Sequence, residues 1–118
     1  MDDSEGAAKF FRVLMHPARL EILELLRDGE HCVCHLEAAL GYRQAYISQQ
    51  VSVLREAGLI QERRDGPNHY YRVIKPQVFA VLDAAQPLSG NPKSKRRAAN
   101  RAVECPCPQC NSVEAVRA

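Results

Sequence analysis

The sequence predicts a mainly α-helical domain with a single β-hairpin, and three observations support this fold class. Apolar residues recur at spacings of three and four in several segments before residue 88. Two of these segments, around residues 30–40 and 42–59, are joined by a tight glycine turn. A basic hairpin pattern follows them directly. A helix-turn-helix followed by a basic hairpin is a winged helix-turn-helix.

The first two predicted helices are separated by His16-Pro17, because proline suits the first turn of a new helix. We expect Ser4 to cap the first helix and interpret His16 as a capping or surface residue. The second helix, "ARLEILELL", carries a core-facing apolar stripe and ends at Asp28-Gly29.

The third and fourth helices form the predicted helix-turn-helix. In "EHCVCHLEAAL" we expect Leu36 and Leu40 to face inward, and Gly41 closes the helix. In the fourth, Ile47, Val51 and Leu54 recur at spacings of four and three, opposite a polar face. This polar face is the expected DNA-reading surface.

The hairpin and the last helix follow in "LIQERRDGPNHYYRVI" and "PQVFAVLDAAQPL". Asp65-Gly66-Pro67-Asn68 supplies the turn of the hairpin. The last helix has apolar residues with little else to bury them. Together with the first helix, it is the candidate surface for a homodimer.

Composition divides the chain into a domain at 1–88 and a flexible, basic, cysteine-containing tail at 89–118. Residues 1–40 carry four basic and eight acidic groups, whereas residues 41–75 carry six basic and three acidic groups. This asymmetry favours contact with a polyanion through one part of the fold.

No apolar run approaches the roughly 20 residues of a membrane span, and the N-terminus has no secretory pattern. We therefore expect a cytoplasmic protein without a membrane partner. In that compartment the five cysteines are better explained as metal ligands or redox groups than as disulfides.

The cysteines occur in two groups, Cys32 and Cys34 in "EHCVCHL" and three more in "CPCPQC". Residues two apart on a helix point to nearly opposite faces. If the helix includes both Cys32 and Cys34, they can bind one ion only when its first turn unwinds. Thiolates are soft ligands that suit As(III), Cd(II), Pb(II) and Zn(II).

The chain resembles the ArsR/SmtB winged-helix metal-sensing repressors over roughly residues 8–85. The resemblance rests on "HPARLEILELL", "EHCVCHL", the fourth helix with "REAGLI" after it, and "RRDGPNHYYRV". It implies a homodimer that binds double-stranded operator DNA when ligand-free and dissociates when a toxic metal or metalloid binds. The sequence has no nucleophile, base or phosphate-loop constellation, so we also expect no catalytic residues.

The resemblance also implies site residues. "EHCVCHL" matches the family's "ELCVCDL" metal box, which assigns Cys32 and Cys34 as ligands. Glu37 stands where arsenic-responsive members have a third cysteine, so the tail would supply the missing sulfur. The candidate metal ligands are Cys32, Cys34, Cys105, Cys107 and Cys110. The expected ion is As(III), with Cd(II), Pb(II) or Zn(II) as alternatives.

On the DNA side, glutamine can pair bidentately with adenine, and arginines neutralise phosphates. The family's base-contact positions fall on the start of the fourth helix, where Gln49 replaces the family's frequent histidine. The candidate DNA-binding residues are Arg43, Gln44, Ala45, Ser48, Gln49, Arg63, Arg64, His69 and Arg72.

Three alternatives stay open from the sequence. The first is a redox-sensing or persulfide-sensing repressor of the same fold, in which Cys32 or Cys34 forms a disulfide with the tail. The second is a thiol oxidoreductase built on Cys107 and Cys110, although no thioredoxin-like βαβ pattern surrounds them. The third is a DNA-binding scaffold with a structural zinc knuckle in its tail.

Overall fold

The computed structural model describes residues 3–89 of the 118-residue chain. Its elements follow the order α1 (Asp3–Leu14), α2 (Pro17–Leu25), β1 (His31–Cys32), α3 (Val33–Leu40), α4 (Gln44–Glu56), β2 (Ile60–Asp65), β3 (Asn68–Val73) and α5 (Gln77–Ala85). Short 3₁₀ turns follow α2 at Leu26–Asp28 and α5 at Gln86–Ser89. The predicted winged helix-turn-helix is confirmed.

One apolar core joins α2, α3, α4 and the hairpin. Ile22, Leu36, Ile47 and Leu54 are fully buried in it. Burying one such side chain contributes about 1.5–3 kcal/mol to folding. Because α4 places Ile47 and Leu54 in this core, apolar packing fixes its position in the domain.

The turn between α3 and α4 depends on Gly41. This residue has φ of 77°, and its N–H donates to the carbonyl of Glu37 at 2.8 Å. Glycine adopts this left-handed conformation without steric cost and commonly ends helices in this way. The chain then turns sharply, and α4 begins at Gln44, within the predicted segment.

The strands form an antiparallel sheet in the order β1-β3-β2. The hairpin turn contains Gly66, whose φ of 61° suits a two-residue connection. The sequence analysis predicted the hairpin but not β1, because a two-residue strand shows no alternating pattern. β1 adds His31 opposite Tyr71 and Cys32 opposite Tyr70.

The outer helices differ from the prediction in one detail. Ser4 lies inside the first turn of α1 and is not its cap. Apolar side chains there remain in solvent, since Phe11 is 54% exposed and Met15 is 77% exposed. None of the helices within residues 3–89 has the length and apolar character needed to cross a bilayer.

Candidate nucleic-acid interface and cysteine segment

The solvent side of α4 carries the side chains predicted to contact bases. Gln44, Ala45, Ser48 and Gln49 are all exposed, opposite the buried face of the helix. Arg43 precedes them as the N-cap residue in an extended conformation and is exposed as well. The predicted positions are therefore all exposed at the start of α4.

A polar contact, in addition to the apolar core, links α4 to the first two helices. Gln50 points inward and is 5% exposed, and its Oε1 accepts a hydrogen bond from Arg19 Nε at 2.8 Å. Arg19 Nη1 also donates to the carbonyl of Val13 at 3.1 Å. Arg19 thus joins the end of α1 to α4. This contact was not predicted, although a glutamine at an inward-facing position of the helix was a signal for it.

Aromatic residues form another contact between α2 and the helix-turn-helix. His16 is the N-cap residue of α2, but its side chain makes no capping hydrogen bond. Its Nε2 instead lies 3.3 Å from the hydroxyl of Tyr46. Tyr42, packed against Tyr46, donates its hydroxyl to Glu21 at 2.9 Å. His16 thus occupies the predicted capping position, but its side chain contacts Tyr46 and does not cap the helix.

One face of the wing is organised by Glu62. Its carboxylate accepts a hydrogen bond from the Tyr71 hydroxyl at 2.9 Å and lies 2.9 Å from Nδ1 of His69. The contacts with His69 and Tyr71 lower the pKa of Glu62. Burial, together with the bond to Glu62, raises the pKa of Tyr71 to about 12. Arg64 is exposed directly opposite His69.

The opposite face of the wing contains Arg63, which is engaged within the chain. Its Nη2 and Nε donate to the carboxylate of Glu30, with closest approaches of 2.7 and 3.0 Å. Its guanidinium also lies 4.5 Å from the ring centroid of Tyr70. The hydrogen bond from Arg63 lowers the pKa of Glu30. Arg72 is exposed and donates to Gln61 Oε1 at 2.9 Å.

The two cysteines of the third-helix segment belong to one small cluster. Cys32 is 2% exposed and is buried with Tyr70, and the half-buried Cys34 packs against them. Cys32 is the N-cap residue of α3, in extended conformation, and its Sγ accepts a hydrogen bond from the N–H of His35 at 3.3 Å. The expectation of opposite faces was wrong because Cys32 precedes the helix.

Two imidazoles flank these thiols. His31 and His35 stack with ring centroids 4.2 Å apart and planes 8° from parallel. Burial lowers the pKa of both residues, and for His35 a positive charge on His31 lowers it further. Within residues 3–89, no group of three or more His, Cys, Asp or Glu side chains is arranged to hold a metal ion. Cys105, Cys107 and Cys110 lie outside the described residues.

Residues 16–62 match the family model described as bacterial regulatory protein, arsR family. The uncharacterised HTH-type transcriptional regulator Rv0081 of Mycobacterium tuberculosis is 38% identical over 90 residues, which cover 75% of this chain and 79% of that protein. The crystal structure of Rv0081 superposes with a TM-score of 0.67 at 35% identity, covering 76% of this chain and 92% of that chain.

Two further proteins are similar. The arsenic resistance transcriptional regulator ArsR1 of Pseudomonas putida is 45% identical over 67 residues, which cover 57% of this chain and 51% of that protein. The crystal structure of the AntR antimony-specific transcriptional repressor has a TM-score of 0.67 at 30% identity, covering 75% of this chain and 80% of that chain. The chain belongs to the ArsR/SmtB family of winged-helix, DNA-binding transcriptional repressors, which are regulators and not enzymes.

Proposed function

We propose that this chain represses transcription as a homodimer on operator DNA and releases the operator when its cysteines coordinate a thiophilic metalloid or metal ion. As(III) is the proposed inducer, with Cd(II), Pb(II) or Zn(II) as the alternatives. The observation that carries the proposal is the cluster of Cys32 and Cys34 at the start of α3, the first helix of the helix-turn-helix.

The DNA-binding part of the proposal assigns base contacts to α4 and phosphate contacts to its flanks. Exposed glutamine and serine side chains near the N-terminus of a recognition helix can reach base edges in the major groove. The proposed base-contacting residues are Gln44, Ala45, Ser48 and Gln49. The proposed backbone contacts are Arg43, Arg64, His69 and Arg72, and the sequence also predicted one for Arg63.

The chemistry of the cysteine cluster suits a soft ion. Cys32 and Cys34 supply two sulfurs from one cluster, and the first-turn N–H groups of α3 favour negative charge at its N-cap. Sulfur-only coordination selects thiophilic ions over magnesium or calcium. Since the described residues offer two such thiols, we propose that tail cysteines complete the site. The names of ArsR1 and of the antimony-specific AntR support an ion of this class.

We propose that DNA is released because coordination of an ion removes contacts that Cys32 makes within the chain. Engaging Cys32 Sγ removes its capping bond with His35 N–H and requires it to leave the cover of Tyr70. Loss of an N-cap typically costs about 1 kcal/mol. α3 and α4 are in contact and share one apolar core that includes Leu36 and Ile47, so a displaced α3 would change the position of the DNA-reading surface. A coupling of about 1.4 kcal/mol changes DNA affinity tenfold.

The proposed homodimer would use α1 and α5. Phe11 and Met15 near the end of α1, and Leu88 just after α5, expose large apolar side chains. Two-fold symmetry would give an operator with two half-sites about one helical turn apart.

The test combines thiol mapping with DNA release. Fully reduced protein is titrated with As(III) or, separately, Cd(II), and the thiols protected from alkylation are identified by mass spectrometry. The same titrations follow dissociation of a duplex selected from a random library by the wild-type protein. We expect protection of Cys32 and Cys34 together with tail thiols, and DNA release at the same stoichiometry.

Matched variants separate the two cysteine groups. Replacing Cys32 and Cys34 by serine should leave DNA binding intact and abolish release by As(III). Serine at Cys105, Cys107 and Cys110 should weaken the response without affecting DNA binding. Protection confined to the tail would contradict the proposal. Reversible release by peroxide or persulfide, without any effect of metal ions, would instead select the redox-sensing repressor.

A further inference from the structure

Three residues from different strands form a cross-strand row on one face of the sheet. Cys32 in β1 pairs with Tyr70 in β3, and Tyr70 pairs with Arg63 in β2. Residues directly opposite one another in a sheet have neighbouring side chains on the same face. The row therefore connects a proposed ligand at one edge of the sheet to the wing at the other edge.

Glu30 links the two ends of this row, because it precedes Cys32 in the chain and binds Arg63. The carboxylate lies two residues before Cys32 and accepts hydrogen bonds from both Nε and Nη2 of Arg63, while the guanidinium covers the ring of Tyr70. A bidentate arginine–carboxylate pair fixes orientation as well as distance. Arg63 thus holds Tyr70 between itself and the segment that contains Cys32.

We infer that Arg63 is a positioning residue that couples the cysteine segment to the wing, and that it does not contact a DNA phosphate. The Nε–Nη2 edge of its guanidinium donates to Glu30, and the flat surface of the guanidinium lies against the ring of Tyr70, although the side chain is 52% exposed. Arg64 is the adjacent contrast, because its exposed side chain lies on the other face of the hairpin beside His69. The sequence alone gave these two arginines the same role.

The coupling has a consequence for thiol access. Cys32 is 2% exposed beside Tyr70, so a reagent reaches Sγ only after local opening of this part of the sheet. Loss of the Arg63 contacts favours that opening. This inference rests on DNA binding, a property of the family, and does not depend on the proposed metalloid response.

The experiment compares Arg63→Ala with Arg64→Ala in reduced full-length protein without added metal. Alkylation of Cys32 by iodoacetamide is timed by mass spectrometry at one pH. DNA affinity is measured against salt concentration with the duplex selected by the wild-type protein. We expect Arg63→Ala to speed Cys32 alkylation about fivefold and to leave the salt slope unchanged. Arg64→Ala should leave alkylation unchanged and lower the slope by about one per subunit.

Two further variants test whether Arg63 acts through Glu30 and Tyr70. Glu30→Gln should speed alkylation as Arg63→Ala does, and combining the two should add little. Arg63→Lys should restore part of the protection, because it keeps the charge but loses the bidentate fork. A lower salt slope in Arg63→Ala would overturn the inference. The inference would also fail if the increase in the Cys32 alkylation rate, expressed as a free energy, equalled the loss in the free energy of unfolding measured in urea. That result would indicate a merely structural role for Arg63.

Discussion

In the proposed complex, α4 and the wing contact the same DNA, but they are held in place by different forces. α4 is anchored mainly by apolar burial, with Ile47, Val51 and Leu54 at most 1% exposed. The wing depends on polar and aromatic contacts near the surface, including the Glu30–Arg63 pair and the bonds around Glu62.

This difference predicts that α4 contributes mainly to the stability of the fold, whereas the wing is easier to displace. Apolar burial responds weakly to salt or to one added charge, whereas exposed ion pairs are screened and contribute little stability individually. Under the proposed mechanism, we therefore expect ion binding at the cysteine segment to displace the wing at a lower free-energy cost than the core face of α4.

The largest effect is expected from Ile47→Ala on the buried face of α4. Ile47 is fully buried, so removing its side chain leaves a cavity and should lower the free energy of unfolding by about 3 kcal/mol. Urea unfolding measures this loss. Ile47→Val serves as the matched control and should cost about 1 kcal/mol. Equal losses for both variants would mean that the core relaxes around α4, and would contradict the view that apolar packing anchors this helix.

An intermediate effect is expected where a polar contact supports α4. Arg19→Met removes the donor to Gln50 Oε1, which is left buried without this partner. The expected loss is about 1–2 kcal/mol in the free energy of unfolding. The double variant Arg19→Met/Gln50→Met should recover much of that loss, because the buried acceptor disappears as well. Strictly additive losses in urea unfolding would show that the two residues do not depend on each other.

The elements of the fold could be predicted from the sequence more completely than the contacts of its candidate site. Periodicity gave the inner face of α4, and the turn residues around Gly66 gave the hairpin. Alternation along the predicted hairpin places Arg63 and Arg64 on opposite faces. The sequence could not place Cys32 beside Tyr70 or Glu30 beside Arg63, because those contacts depend on the pairing of β1 with β3. α3 also begins later than the sequence suggested, at Val33, because the pairing of β1 with β3 holds Cys32 outside the helix.

The smallest effect is expected from Tyr71→Phe, which removes one hydrogen bond to Glu62 at the base of the wing. At pH 7 the loss in the free energy of unfolding should be about 1 kcal/mol. The pKa of Tyr71 is raised from 10.0 to about 12, mainly by burial and then by Glu62. The contribution of Tyr71 to the free energy of unfolding is therefore fully present below pH 10 and is lost as the pH rises through 12.

Urea unfolding of wild type and Tyr71→Phe across this alkaline range isolates that contribution, because the remaining tyrosines titrate in both proteins. The gap between the two proteins should narrow as the pH rises from 10 towards 12. A constant gap would show that Tyr71 titrates alike in the folded and unfolded chain, and that the Glu62 contacts do not hold the wing. A narrowing gap would identify the wing as the pH-sensitive element, in contrast to the apolar anchoring of α4.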